Sequence, residues 1–297
     1  MLPLFDLHCD TFLELYKSKQ DINNNSLHIS LKKASAFSPY IQVCAIWSDY
    51  HLSNNEAYDA CLRIIEYIKS QGISFVGNLS KLSKNNFLLA IEDARILNND
   101  LSRLDTLYSL GVRVLTLNWK GENCIGGGWD TNTPLTEFGK EVVKRCKSLG
   151  IIVDLSHSSC KAFDDAIALA KKLNFTPIAS HSNSYSLLEH KRNLTDNQFK
   201  KLCELNSLIG ISFVPEHLGN NTDIYTILRH INHFLKLGGE SNIALGSDFD
   251  GVNSLPYGIC SIESLKELYE LFIIEFGESI TKKIFFENAY SFFKKNL

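Results

Sequence analysis

Eight short apolar runs, separated by longer amphipathic stretches, recur along the 297 residues of this chain and constrain its fold more than any other feature. The runs are rich in Ile, Val, Leu and Phe. Continuous apolar runs of this length are typical of strands buried on both faces of a parallel sheet. The runs comprise residues 4–10, 41–47, 87–92, 112–117, 150–157, 176–182, 208–213 and 243–250.

The stretches between the runs show helical periodicity. One stripe of apolar residues ends at Leu149, and Gly150 follows it as a predicted helix stop. Thr195 is the predicted N-cap of another helix. A third stripe covers residues 265–272. Alternation of strands and helices in this order predicts an α/β protein.

Eight buried strands with intervening helices predict a (β/α)8 TIM-type barrel, and the absence of a linker or composition shift predicts one domain over residues 1–297. The alternative is an open doubly wound sheet. Against it, no GxGxxG motif follows the first run. Gly126-Gly127-Gly128 lies after the fourth run, where we expect a flexible loop rather than a phosphate site.

The charge balance gives no reason to expect nucleic acid or an anionic membrane as a partner, because 30 Lys and Arg residues face 33 Asp and Glu residues. No apolar run is long enough to cross a bilayer, and the N-terminus lacks the features of a signal peptide. We therefore expect a cytoplasmic protein. The eight cysteines form no CxxC pair, which favours buried thiols over a zinc or redox motif.

Five of the predicted strands end in residue types that bind metals. These residues are His8 and Asp10, Glu92, His157, His181, and Asp248 with Asp250. Because side chains alternate along a strand, His8 and Asp10 share one face and can both reach the barrel axis. Enzyme sites of this fold lie at the C-terminal mouth of the barrel.

Imidazole and carboxylate ligands together suit Zn²⁺ or a similar divalent ion. The two oxygens of one glutamate can bridge two metal ions, and a water between them becomes acidic enough to act as hydroxide. One histidine at a strand end is more often structural, so the prediction depends on the agreement of five strand ends. The histidines at 28, 51, 217, 230 and 233 are interpreted as structural or solvated, and His190 is left open.

Several segments resemble the renal-type membrane dipeptidases, a family of zinc peptidases with a (β/α)8 fold. The resemblance covers nearly the whole chain in order, and the motifs are jointly highly specific. The matching segments are residues 6–11, 111–117, 136–139, 150–157, 180–182, 192–193 and 246–251.

The resemblance implies a role for each matching position. His8 and Asp10 would bind one zinc ion, His157 and His181 a second one, with Glu92 bridging both. Arg192 would hold the carboxylate of the substrate, since a guanidinium fork pairs with it bidentately. Asp248 would accept a proton from the bridging water and donate one to the leaving amine. The resemblance also implies a dipeptide substrate and a homodimer.

Two departures from the family pattern concern the site. Animal members carry a histidine after the fourth strand that is thought to help bind the substrate carbonyl, whereas this chain has Asn118-Trp119 there. We expect these two residues to contact the substrate. Asp93 also follows Glu92 where glycine is more common, so it either changes metal affinity or faces a helix.

Two other functions are weighed against the dipeptidase. Deaminases, lactonases and amidases with related barrels usually begin with His-x-His, and His8-x-Asp10 argues against them. A barrel that binds metal without catalysis is supported only by Trp119 in place of the family histidine. Hydrolysis of dipeptides by a zinc-bridging hydroxide is therefore the leading hypothesis.

Overall fold

The computed structural model describes residues 1–297 and contains a closed barrel of eight parallel strands. Each strand pairs with the next in sequence, and the last pairs with the first through Leu245 and Asp6. The strands are β1 (Leu2–Cys9), β2 (Phe37–Trp47), β3 (Asn85–Glu92), β4 (Val112–Thr116), β5 (Ile152–Asp154), β6 (Ile178–Ala179), β7 (Leu208–Ile211) and β8 (Ile243–Leu245). The predicted (β/α)8 barrel is confirmed, and the closed sheet excludes the doubly wound alternative.

Helices connect the successive strands, and three more helices follow β8. They are α1 (Thr11–Ser18), α2 (Asn54–Ser70), α3 (Ser102–Leu110), α4 (Glu137–Leu149), α5 (Cys160–Leu173), α6 (Asp196–Glu204), α7 (Pro215–Leu218), α8 (Ile224–Lys236), α9 (Leu265–Phe276), α10 (Glu278–Lys282) and α11 (Asn288–Asn296). Gly150 ends α4 with a φ of 76°, as predicted. Thr195 caps α6 through a reciprocal capping box with Gln198, also as predicted. None of these helices combines the length and the apolar character needed to cross a bilayer.

Strands β5 and β6 are shorter than the apolar runs that predicted them. The run over 150–157 contains only three strand residues, and the run over 176–182 contains two. Most of the remaining residues are buried although they lie outside the strands; His157, for example, has a φ of 66°. Burial at the barrel mouth therefore continues past the strands, and hydrophobicity alone overestimates their length.

Helix α11 packs against the N-terminal end of the barrel. Phe292 and Phe293 belong to the apolar cluster inside the barrel, and the ring centroid of Phe293 lies 4.9 Å from that of Phe5 near the start of β1. A larger cluster fills the space between the strands and the outer helices. The opposite, C-terminal end of the barrel is left for polar residues.

The glycine segment after β4 is closely packed, so the expectation of a flexible loop is corrected. Gly126, Gly127 and Gly128 are all buried. A Cβ at Gly127 would collide with the side chain of Thr131, and one at Gly128 would lie 2.5 Å from the carbonyl oxygen of Trp119. Small residues are needed here because neighbouring backbone approaches closely.

Candidate active site

A cavity of about 620 Å³ opens at the C-terminal end of the strands. Its lining includes Asp10, Glu92, His157, Arg192 and Asp248 among other residues. The remaining two predicted ligands, His8 and His181, are 2% and 0% exposed and contact this lining. The structure thus brings together all five predicted metal ligands, Arg192 and Asp248.

Glu92 lies between two groups of histidines. Its Oε2 is 3.4 Å from Nε2 of His8. Its Oε1 is 2.9 Å from Nε2 of His157 and 3.6 Å from Nε2 of His181. One oxygen of Glu92 therefore faces His8, and the other faces His157 and His181.

Further contacts link His8 to two carboxylates and His157 to His181, and the ring centroids of His8 and His181 lie 3.9 Å apart, so the two sides of the site adjoin. Nε2 of His8 lies 3.6 Å from Asp10 Oδ2 and 3.9 Å from Asp248 Oδ1. Nε2 of His157 lies 2.7 Å from Nε2 of His181. These two imidazole nitrogens therefore lie together beside Oε1 of Glu92.

The donor set fits a divalent metal ion. Ligand atoms of His8, Glu92 and His181 lie within 4.8 Å of one another, as do those of His8, Asp10 and Asp248. Nε2 of His8 is buried without a hydrogen-bond partner, which is costly unless another group satisfies it. Nitrogen and carboxylate ligands at such spacing suit zinc and similar ions.

Burial sets the protonation of the ligands. It lowers the pKa of His157 to about 4 and that of His181 well below its usual value, with further lowering from neighbouring cations such as Arg192. Both imidazoles are therefore neutral near pH 7, as metal ligation requires. Burial raises the pKa of Asp248 to about 7; His8 opposes the rise, while the carboxylates of Asp10 and Glu92 reinforce it.

A buried polar layer orients His181. Its Nδ1 lies 2.8 Å from the hydroxyl of Ser180, which in turn donates to Asp154 at 2.7 Å. Asp154 also accepts the backbone N–H of Ser180 at 2.8 Å. When Nδ1–H bonds to Ser180, Nε2 is left unprotonated and faces Glu92, which is the tautomer a metal ligand needs.

Three residues of the site have left-handed backbone conformations. The φ angles of His157, Asp248 and Asp250 are 66°, 62° and 67°. Such conformations cost on the order of 1–3 kcal/mol for residues other than glycine and concentrate at functional sites. Here they turn the chain at the ends of β5 and β8.

Arg192 comes from the loop between β6 and α6. It is 4% exposed, and its Nη2 donates to the carbonyl oxygen of His181 at 3.0 Å. Its Nε has no partner. Burial lowers its pKa to about 10, so the guanidinium stays charged near pH 7 and can bind an anion in the cavity.

The two residues at the position of the family histidine, Asn118 and Trp119, have different surroundings. Trp119 lines the cavity, and its ring centroid lies 5.9 Å from that of His157 and 5.3 Å from that of Trp47. Asn118 does not line the cavity; it is 1% exposed and donates to Asn123 at 3.1 Å. The expected contact of Asn118 with substrate is therefore not supported by its position.

Asp93 and Asp250 brace loops. Asp93 accepts hydrogen bonds from the backbone of Arg95 at 2.9 Å and the hydroxyl of Tyr50 at 3.2 Å, so it faces the start of a short helical turn. Asp250 accepts from the hydroxyl of Thr11 and the backbone of His28, each at 2.6 Å.

Several residues that line the active-site cavity were not predicted from the sequence. Trp47 is the last residue of β2, so its strand-end position was an available signal. Trp129 lies in a loop with no such signal. His28 and His217 were interpreted as structural or solvated, yet both line the cavity. His217 follows β7 on the short helix α7, and its distance from the strand end concealed it.

Known proteins resemble this chain in sequence and in fold. The chain is 32% identical over 192 residues, 60% of this chain and 69% of the relative, to an uncharacterized protein encoded in the pqqA 5' region of Klebsiella pneumoniae. The structure of the present chain is similar to that of dipeptidase AC, a metallo peptidase of family M19. The TM-score is 0.91 at 24% identity, over 99% of this chain and 98% of the other. A metallo peptidase from Rhodobacter sphaeroides gives a TM-score of 0.91, 23% identity and coverage of 100% and 99%.

The family model of the membrane dipeptidases matches residues 1–296, which is almost the entire chain. The match includes every strand of the barrel and every residue of the candidate site. The chain therefore belongs to the membrane dipeptidase family, peptidase family M19, and is a metallo-dipeptidase.

Proposed function

We propose that the chain hydrolyses dipeptides with two zinc ions, one held by His8 and Asp10 and one by His157 and His181, with Glu92 reaching both. The observation that carries this proposal is the placement of the two oxygens of Glu92, one toward His8 and the other toward His157 and His181. A carboxylate placed in this way is the usual bridge of two-metal hydrolytic sites.

Zinc bound by these residues would lower the pKa of a water molecule and polarise the scissile carbonyl. Asp248 would take the proton that the attacking water loses as its oxygen bonds to the carbonyl carbon. The same carboxyl group would pass that proton to the amide nitrogen as the C–N bond breaks. Its place on the cavity wall, with Oδ1 3.9 Å from Nε2 of His8, supports this role.

The charges around the cavity support one orientation of the substrate. Arg192 is proposed to hold the C-terminal carboxylate, because its buried guanidinium has an unpartnered Nε. Glu14 also lines the cavity, and its carboxylate suits the α-ammonium group at the other end. Trp119 forms an aromatic wall beside His157.

The known neighbours support a dipeptide substrate. The Rhodobacter sphaeroides metallo peptidase was solved with a phosphinate mimic of the dipeptide L-Ala-D-Ala. A cavity of about 620 Å³ accommodates a ligand of that size. The cytoplasmic location and the homodimer remain predictions from the sequence.

Replacing Asp248 tests the proposed chemistry. The change Asp248→Asn keeps the size of the side chain but removes its proton-accepting carboxylate, so we expect kcat on a dipeptide such as Ala-Ala to fall by about 10²–10⁴-fold. Zinc content, measured by elemental analysis, should stay at the wild-type value. Asp105→Asn is a matched control, because Asp105 pairs with Arg145 on the outer helices. A wild-type kcat in Asp248→Asn would remove Asp248 from the mechanism.

A further inference from the structure

A second cavity, of about 420 Å³, adjoins the active-site cavity. Trp129, His157 and Arg192 line both cavities, so Arg192 stands at the partition between them. Much of the remaining wall of the second cavity comes from the segments around the starts of α5 and α6, including Ser158, Cys160 and Thr195. None of these residues has a role in the catalytic chemistry proposed above except His157 and Arg192.

The two cavities differ in charge. The active-site cavity is lined by five carboxylates, against the cations Lys17 and Arg192; the carboxylates are Asp10, Glu14, Glu92, Asp248 and Asp250. The second cavity is lined by Lys191 and Arg192, and its wall contains no aspartate or glutamate. A ligand group in the second cavity therefore meets a positive potential.

Buried donors in the second cavity lack acceptors. The hydroxyl of Ser182 has no hydrogen-bond partner although the residue is only 2% exposed. The hydroxyl of Ser158 is also buried and without a partner. Unpaired buried donors are costly, and an oxygen-rich anionic group would satisfy them.

Two helix N-termini add to the positive potential. Cys160 is the first residue of α5, and Thr195 is the N-cap of α6; both belong to the cavity wall. The partial positive charge at a helix N-terminus favours anions. The charges, the unpaired donors and the helix ends thus all favour a carboxylate.

We propose that the second cavity binds the side chain of the substrate's C-terminal residue and selects dipeptides that end in aspartate or glutamate. This inference rests on the proposed function, in which Arg192 holds the C-terminal carboxylate. The side chain of that residue leaves the same Cα as the carboxylate and is therefore beside Arg192. A side-chain carboxylate entering the cavity meets the unpaired hydroxyl of Ser182 and the ammonium group of Lys191.

Substrate comparison tests the selection directly. The zinc-loaded wild-type enzyme should hydrolyse Ala-Glu with a kcat/KM about tenfold above that for the isosteric Ala-Gln, because a charged acceptor forms stronger hydrogen bonds than an amide. Ala-Lys should be the poorest of the three. Equal kcat/KM values for Ala-Glu, Ala-Gln and Ala-Lys, with Ala-Ala hydrolysed, would overturn the inference and leave the proposed function intact.

Reversing the charge of Lys191 tests whether the second cavity causes the preference for an acidic C-terminal residue. Lys191 is exposed, so Lys191→Glu should fold normally. It should lower the ratio of kcat/KM for Ala-Glu to that for Ala-Ala by about fivefold, since a rim charge is partly screened by solvent. The control Lys172→Glu places the same charge change on the exposed surface of α5 and should leave the ratio at the wild-type value. An unchanged ratio in Lys191→Glu would contradict the assignment of this cavity.

A binding measurement separates the two proposals. Calorimetric titration should show tighter binding of L-glutamate than of L-glutamine to the wild-type protein, and Lys191→Glu should reduce the difference. Equal binding of the two amino acids would reject the acidic subsite whatever the enzyme hydrolyses. Tighter glutamate binding without turnover of any dipeptide would keep an anion site but reject the proposed function and the substrate selection that rests on it.

Discussion

Glu92 shows how much of the site depends on single side chains. Its two oxygens face different histidines, His8 on one side and His157 with His181 on the other. No other carboxylate in the cavity contacts all three imidazoles. The division of the ligands into two groups therefore follows from the position of this one residue.

Ser180 offers a test of ligand orientation. Its hydroxyl links Nδ1 of His181 to Asp154. The change Ser180→Ala removes the link, and because such outer-shell partners fix the tautomer of a ligand, we expect zinc affinity to fall about 10–100-fold. Competition with a chromophoric chelator measures the affinity. Ser212→Ala is a suitable control, since Ser212 is equally buried but its hydroxyl only accepts from the backbone of Val214. An unchanged zinc affinity in Ser180→Ala would show that the hydrogen bond does not orient His181.

The sequence predicted which candidate ligands lie together better than it predicted the walls of the cavity. His8, Glu92 and His181 could be found because a parallel barrel gathers the ends of its strands at one mouth. His217 could not, because it lies several residues beyond β7 and only the path of the loop brings it to the cavity. Asn118 shows the opposite case: it is adjacent to Trp119 in sequence, but Trp119 lines the cavity whereas the side chain of Asn118 donates to Asn123.

At the level of elements, the strand order was predictable and the strand ends were not. Apolar runs identify all eight strands, since both faces of each strand are buried. The same runs continue into buried loops, so β5 and β6 end well before the predicted positions. Hydrophobicity reports burial and cannot by itself report backbone conformation.

Gly210 on β7 tests how closely the strand ends are packed. A Cβ at this position would collide with the carbonyl oxygen of Ser180 and lie 3.0 Å from Cα of Gly246. Because both contacts are with backbone, Gly210→Ala should lower the free energy of unfolding by about 1–3 kcal/mol or more. Denaturant unfolding measures the change. Gly77→Ala is the control, since its Cβ would meet only the flexible guanidinium of Arg113 at 3.2 Å and should have little effect. A fully stable Gly210→Ala variant would contradict the packing described for β6, β7 and β8.

At the scale of the whole molecule, α11 joins the end of the chain to its beginning. Phe293 is fully buried against Phe5 inside the barrel. Phe293→Ala should therefore reduce the free energy of unfolding by about 3–5 kcal/mol, from lost apolar burial and the resulting cavity. Lys295→Ala, an exposed change on the same helix, should alter it by less than about 0.5 kcal/mol. Equal stabilities of the two variants would show that α11 is not part of the barrel core.

Dipeptide hydrolysis is proposed to depend on two zinc ions held by the five ligands. The most direct measurement is the hydrolysis of Ala-Ala by chelator-treated protein as zinc is added back in known amounts. We predict that activity is absent without metal and rises to a plateau at about two zinc ions per chain. Full activity after removal of metal, or a plateau at one zinc ion per chain, would contradict hydrolysis that depends on two zinc ions.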